Sequence, residues 1–335
     1  MGSFELNPDR FVFSIDPEKS EPSDFDKALV TAWDGKMSLG LFRYIWKIEE
    51  EKVLGDKFGF VLQLNPLRSA KRRKPELIEN TSQPFDPDKF NFTKLKPDEF
   101  IFQIKNGDDM YNYIAINDSP IDKAHSLLLP DMHKKQPQVV TGNGLRFSIG
   151  VILSSSVPFL RVGFNGLCAY ASINHLHFHI YYLNKQMVLE TVPVKHLSGN
   201  CYFQDTFPSK GYVFQIKSPR DIDIIIEDVV KLTNYLNENN IAHNLIMTRG
   251  TSFERNDSTV YDCVRIYVWP RTSASGCKDI STQNFALCEL FGHFPLNDKK
   301  LFDESTEEEL ADMLWQLTDG VFESTRTAVK NLYKQ

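Results

Sequence analysis

Three histidines stand at alternate positions in the stretch INHLHFHIYY, residues 173–182: His175, His177 and His179. The whole chain has eight histidines, so three within five positions call for a chemical account. Leu176, Phe178 and Ile180 alternate with them. A period of two is that of an extended strand, with the imidazoles on one face, roughly 7 Å from neighbour to neighbour, and the apolar side chains on the other.

Such a row can be a structural feature of a half-buried strand, a metal site or a nucleophilic centre. A catalytic zinc takes three protein ligands and a water, but residues i, i+2 and i+4 of a straight strand spread too far to share one ion without a further ligand. Nucleophilic attack on phosphorus needs an unprotonated ring nitrogen held in one tautomer, which a hydrogen bond from the other nitrogen to a backbone carbonyl provides. In that arrangement His177, the middle residue, is the nucleophile. His175 and His179 then donate to phosphate oxygens and to the leaving group.

A second pattern narrows the choice. NDSPIDKAHSLLLP (117–130) places Pro120 five residues before His125, ahead of an apolar strand. A turn with this spacing, followed by alternating histidines, resembles the histidine triad superfamily of nucleotide hydrolases and transferases, in which the middle histidine takes the nucleotidyl group. The position matching that family's ribose contact is Asn117, where small members carry Asp. GFNGLCAYASINHLHFH, QPFDPDKFNFTK and GFVLQLN together resemble the GDP-hexose phosphorylases, over residues from about 58 to about 295.

The resemblance implies an α+β, histidine-triad-like fold: two related halves with antiparallel sheets flanked by helices, only the first half catalytic. It implies a guanylyl-His177 intermediate and inorganic phosphate as cosubstrate. His179, where the plant branch carries Gln, favours the animal branch acting on GDP-D-glucose. Some related uridylyltransferases hold a zinc through a CxxC pair and two histidines. His125 and His175 match those histidines, but the CxxC is missing, so neither metal nor cofactor is expected. Ser172, three before His175, matches a hydroxyl that contacts phosphate in related transferases. GDP-L-galactose, another GDP-hexose or a dinucleoside polyphosphate remain alternative substrates, and a nucleotide-binding regulator without turnover is an alternative function.

Further candidates come from residue type alone. Asn165 and Gly166, in the turn before the triad, can offer an amide and a backbone N–H to phosphate. The basic run RSAKRRK (68–74) can attract anionic substrates, with Arg68 foremost. Lys89, Asn91 and Lys94 are candidates for nucleotide contact, and Asp86 or Asp88 for accepting from guanine.

These residues need a scaffold. Helical spacing predicts helices over 23–33, 144–156 and 220–240, and a Ser305/Glu308 capping box before a last helix. Strands are expected at 58–65, 99–105, 112–118, 125–130, 159–165, 174–180, 243–249 and 264–271, with a long loop over 68–94. The expected organisation is an N-terminal extension (1–57), a catalytic half (58–205) and a degenerate second half (206–335). His293, in FGHFP, is the one histidine near the second half's strands in that reading.

Composition agrees with a packed core. Of 335 residues 41% are hydrophobic and 25 are Phe, ample for a core. A net charge of −6 argues against a general nucleic-acid binder. Five scattered cysteines, no apolar run long enough to span a bilayer and no basic leader point to a cytoplasmic protein without membrane association.

Overall fold

The computed structural model describes residues 2–70, 77–105, 111–255, 259–274, 276–277 and 284–334. The first-half strands are β1 (Gly2–Glu5), β2 (Glu50–Leu54), β3 (Phe60–Leu64), β4 (Leu77–Ile78), β5 (Phe100–Lys105), β6 (Tyr111–Ile116), β7 (Lys123–Leu129), β8 (Leu160–Asn165) and β9 (Phe178–Tyr182). Then come β10 (Lys195–Ser198), β11 (Cys201–Gln204), β12 (Gly211–Ile216), β13 (His243–Gly250), β14 (Cys263–Pro270), β15 (Gly276–Cys277) and β16 (His293–Leu296). The helices are α1 (Asp24–Ser38), α2 (Leu67–Ala70), α3 (Gly142–Ser154), α4 (Asp221–Glu238), α5 (Leu287–Leu290), α6 (Lys299–Glu304) and α7 (Glu307–Leu332).

Eleven strands form one sheet in the order β1-β5-β6-β7-β9-β8-β13-β14-β12-β11-β10. Only β1 runs parallel to its neighbour. The α+β architecture with two antiparallel halves is therefore present, and the halves are fused edge to edge. The seam is β8 against β13, from Asn165 opposite Asn244 to Val162 opposite Met247. Joining them there leaves neither half with a free inner edge.

Each face of this sheet has its own core. Phe25 of α1, Leu145 of α3, Ile225 of α4 and Phe322 of α7 pack with Val162, Phe178 and Ile180 on one face. The small sheet β16-β3-β2 covers the other, where Phe60 and Phe294 meet Tyr181, Ile246, Leu290 and the first turns of α7. The alternation along β9 thus sends Phe178 and Ile180 into the helical core, and His179 and Tyr181 to the opposite side.

Helix α1 starts where the sequence indicates: Ser23 and Asp26 form a capping box. Two expectations need correction. The box before α7 is Thr306 with Glu309, one residue later than expected, because Ser305 Oγ instead donates to Leu301 O at 2.6 Å and closes α6. The triad strand starts later than the expected 174–180 and runs to Tyr182. It begins at Phe178, because the chain just before it is bonded by the Gln138 side chain and the Gln136 carbonyl rather than by neighbouring strands. The strands between 195 and 216 have no counterpart in the sequence reading.

The seam also depends on a close approach at Gly166, whose N–H donates to His243 O at 3.1 Å. A Cβ at this position would lie 2.5 Å from that same oxygen. Backbone cannot give way cheaply, so Gly166→Ala is expected to cost about 1–3 kcal/mol, read as a lower midpoint in urea unfolding. An unchanged midpoint would contradict this account of the seam.

Candidate active site

His177 is 4% exposed and sits one residue before β9. Its Nδ1–H donates to the carbonyl of His175 at 2.8 Å, which leaves the lone pair on Nε2. Among the described residues Nε2 has no hydrogen-bond partner. Burial lowers the imidazole pKa to about 4, against a partial opposing effect of the bond to His175. At pH 7 about one molecule in a thousand would then be protonated, against roughly one in four for a free imidazole. The ring is neutral, oriented and in the tautomer that attack through Nε2 requires.

The flanking histidines differ from it and from each other. Phe92 N–H donates to His175 Nδ1 at 3.0 Å, so His175 carries its proton on Nε2 and donates it to Met132 O at 3.0 Å. Both nitrogens are thus engaged by backbone. Phe92 also stacks on His175, with ring centroids 5.4 Å apart, and meets His177 edge-on at 4.9 Å. His179 is tied to His125 instead. Ile121 N–H donates to His125 Nδ1 at 3.0 Å, and His125 Nε2–H donates to His179 Nδ1 at 3.1 Å. That relay puts the remaining proton of a neutral His179 on Nε2, beside His177, whose ring centroid is 5.1 Å away. Asn117 Nδ2 lies 3.2 Å from His125 Nε2, and Asn117 Oδ1 accepts from Ser119 N–H.

Behind the relay lies a buried polar layer. Tyr181 is flanked by His125 and His293, at 5.8 and 5.9 Å between ring centroids. His293 Nε2–H donates to Gln63 Oε1 at 2.7 Å, and Gln63 Nε2 donates to Glu51 and Asp122, each at 3.0 Å. This leaves His293 Nδ1 buried without a partner, as are both side-chain atoms of Asn65 and Nε of Arg68. The positive charge of Arg68 is close enough to help lower the pKa of both His125 and His293, after burial itself. A second-half residue, His293, and the β3 terminus therefore meet next to the triad.

The remaining candidates divide. Ser172 is exposed at the start of the segment leading to His175. Gly166 does not offer its N–H to a ligand, because His243 O takes it. Asn165 Oδ1 is taken by Asn244 Nδ2 at 2.7 Å and Leu287 N–H at 3.2 Å, a strut across the seam. Asn91 is buried, with Oδ1 accepting from Thr93 N–H and Nδ2 donating to Lys89 O. Lys94 donates to Asp88 O and Lys89 O, and Lys89 faces Asp86 at 4.0 Å. These three organise their own loop, and Phe85 and Phe92, which the sequence reading passed over, carry that loop to the triad: Phe85 meets His175 edge-on at 5.1 Å, and Phe92 packs on both His175 and His177. Lys71, Arg72, Arg73 and Lys74 lie outside the described residues. No helix among the described residues is long and apolar enough to cross a membrane.

A neutral imidazole with its Nε2 lone pair free and a histidine relay beside it, on a fused two-half sheet, make up the candidate site. The solved structure of yeast Ap4A phosphorylase Apa2 in complex with Ap4A shares this fold, with a TM-score of 0.59 at 15% identity over 88% of this chain and 97% of that one. Residues 24–181 match the GDPGP1-like N-terminal domain and residues 188–335 the GDPGP1-like C-terminal domain. The chain belongs to the GDPGP1-like family. It is 40% identical to GDP-D-glucose phosphorylase 1 of Danio rerio, over 87% of this chain and 86% of that one. With the Homo sapiens protein of the same name it shares 37% identity, over 87% and 78%. GDP-L-galactose phosphorylase 1 of Arabidopsis thaliana is 30% identical over 88% and 70%.

The same burial that keeps the rings neutral makes stability pH-dependent. Burial holds His175, His177 and His243 at about 4, His293 at about 3 and His125 well below 6.5. In the unfolded chain they return to the ordinary value, so unfolding takes up protons. Stability is full above the unfolded pKa and declines as pH falls from 6.5 towards 4, by about 1.4 kcal/mol per pH unit for each ring. Asp122, raised to about 6 by burial, acts in the opposite sense and offsets one of them. Urea midpoints measured from neutral pH downwards are expected to drop steeply; a flat profile would contradict the burial of neutral histidines.

Proposed function

We propose that this protein is a GDP-D-glucose phosphorylase that works through a guanylyl-histidine intermediate. The observation that carries the reading is the neutral, Nδ1–H tautomer of His177 with an unengaged Nε2. Family membership and the identity to the animal relatives support the substrate. In the first step the Nε2 lone pair attacks the α-phosphorus. The bond from that phosphorus to the bridging oxygen breaks, and glucose 1-phosphate leaves with the electron pair. In the second, an oxygen of inorganic phosphate attacks the same phosphorus, the P–N bond breaks, and GDP leaves while His177 recovers its lone pair.

The other residues take roles consistent with their partners. His179 Nε2–H donates to a transferring or leaving oxygen, where negative charge grows. His125 holds His179 in that tautomer. His175, with both nitrogens engaged, supplies the carbonyl that fixes His177 and does not itself touch the substrate. Arg68 adds positive charge, and its Nε, the Asn65 amide and His293 Nδ1 are unpaired polar atoms suited to ligand oxygens and hydroxyls. Asn117 and Ser172 are assigned to ribose and phosphate contacts, respectively. The reaction routes no step through a metal or cofactor. Cys168, Cys201, Cys263 and Cys288 are free and buried, in keeping with a reducing compartment such as the cytoplasm.

Purified protein is expected to release GDP from GDP-D-glucose only with phosphate present, and faster than from GDP-L-galactose or GDP-mannose. Without phosphate it should accumulate an acid-labile guanylyl adduct on the peptide carrying His177. His177→Asn should abolish the adduct and lower turnover by at least roughly 10³-fold. Release of GMP irrespective of phosphate would make the protein a hydrolase, and preference for GDP-L-galactose would move it to the other branch.

A further inference from the structure

The backbone of the nucleophile lies where a strand ladder should be and is not. The register of β8 on β9 pairs Gly163 with His179, so its continuation sets Asn165 opposite His177, yet β9 begins only at Phe178. Pairing with β8 stops at His179 and pairing with β7 at Phe178, opposite Leu128. Between Asn165 and His177 sits the side chain of Gln138, 1% exposed. Its Oε1 accepts from His177 N–H at 2.9 Å. Its Nε2 donates to His177 O at 3.1 Å and to Asn165 O at 2.9 Å. One carboxamide thus bonds both polar groups of the His177 residue and the strand end that should have paired with it.

We infer that Gln138 is a positioning residue for the nucleophile, its carboxamide standing in for a missing strand peptide and setting the direction in which His177 Nε2 points. This rests on the proposed function and goes beyond it. Gln138 is itself held from two sides. Its backbone N–H donates to Asn174 Oδ1 at 2.9 Å, and Asn174 Nδ2 donates to the carbonyls of Gln83 and Pro84 at 3.0 and 2.7 Å. Leu176 N–H donates to Gln136 O at 3.0 Å, so the segment carrying Gln138 also grips the residue before His177.

The spacer has a geometric consequence. An amide wedged between β8 and β9 splays the strands at one place only, next to the nucleophile. The chain there is free of the flat ladder that would hold His175, His177 and His179 in one straight row. It can turn the His175 carbonyl back onto His177 Nδ1, the contact that selects the tautomer. Losing the spacer allows the two strands to close or to drift. Reacting atoms must be held to within a fraction of an ångström, and a 1 Å misplacement costs roughly 10²-fold in rate.

The test compares Gln138→Glu and Gln138→Met with the wild type, in single-turnover guanylylation by GDP-D-glucose without phosphate. The ionised carboxylate of Gln138→Glu cannot donate to the two carbonyls, whereas its protonated form restores one donor and one acceptor. Both variants should lose about 10–100-fold in guanylylation rate, with KM for GDP-D-glucose within a few-fold of wild type. In Gln138→Glu the rate relative to wild type at the same pH should recover as pH falls. A buried glutamine that only supports the fold would lower the folded fraction instead, and the rate per folded enzyme, with its pH profile, would not move. Folded variants that react at the wild-type rate, or that lose only KM, overturn the inference. Should neither variant fold, Asn174→Ser releases the Gln138 backbone while leaving the carboxamide in the chain. The same kcat-only loss is expected of it, and an unchanged kcat overturns the inference. Wild-type protein that forms no guanylyl-histidine defeats the functional reading itself, a result distinct from either.

Discussion

One hydrogen bond governs what this site can do: His177 Nδ1–H to the carbonyl of His175, made inside a buried layer. Alone, either part is insufficient. Burial without the bond leaves a neutral ring free to place its proton on either nitrogen. The bond without burial favours the imidazolium, because a carbonyl acceptor stabilises the charged form, and a protonated ring has no lone pair to offer. Together they leave a single reactive species, and desolvation is the larger influence, as the pKa near 4 reflects.

The rest of the structure can be understood as what that bond requires. His175 must present its carbonyl at a fixed place, and so its ring is bonded at both nitrogens and stacked on Phe92. The peptide of His177 must be held although the ladder ends beside it, and so Gln138 is bonded to both its polar groups. β8 must end in register with the second half, and so Asn244 and the Leu287 N–H both reach Asn165, and Gly166 passes close under His243 O. The second half, without a triad of its own, holds that seam and brings His293 to the polar layer beside His125.

Much of this was legible in the sequence. The period-two histidines singled out His177, the proposed nucleophile, although only His179 of the three lies on a strand. The apolar partners Phe178 and Ile180 fixed which face was which, and the turn before His125 pointed to the second histidine of the relay. Less was legible where contacts join distant segments. Lys89, Asn91 and Lys94 looked like ligand contacts from charge and polarity, yet Asn91 and Lys94 bond backbone groups of their own loop and Lys89 faces the Asp86 carboxylate within it. Nothing in QPQ marked Gln138, since its partners lie at Asn165 and His177, far along the chain. Phe92 read as an ordinary aromatic, and only packing against two imidazoles distinguishes it. The strand expected over 174–180 failed before Phe178 for a related reason: alternation of residue types records facing, and it does not record whether a neighbouring strand is there to pair.

The protonation state of one ring decides whether this chemistry is open to the protein. Histidine-labelled ¹⁵N NMR of the wild-type protein, with long-range coupling from each ring nitrogen to its carbons, reads tautomer and charge directly. At neutral pH, His177 is expected to show a protonated Nδ1 and an unprotonated Nε2, and Nε2 should acquire coupling to phosphorus when GDP-D-glucose is added without phosphate. A His177 that is imidazolium, or that carries its proton on Nε2, would contradict the account at its centre.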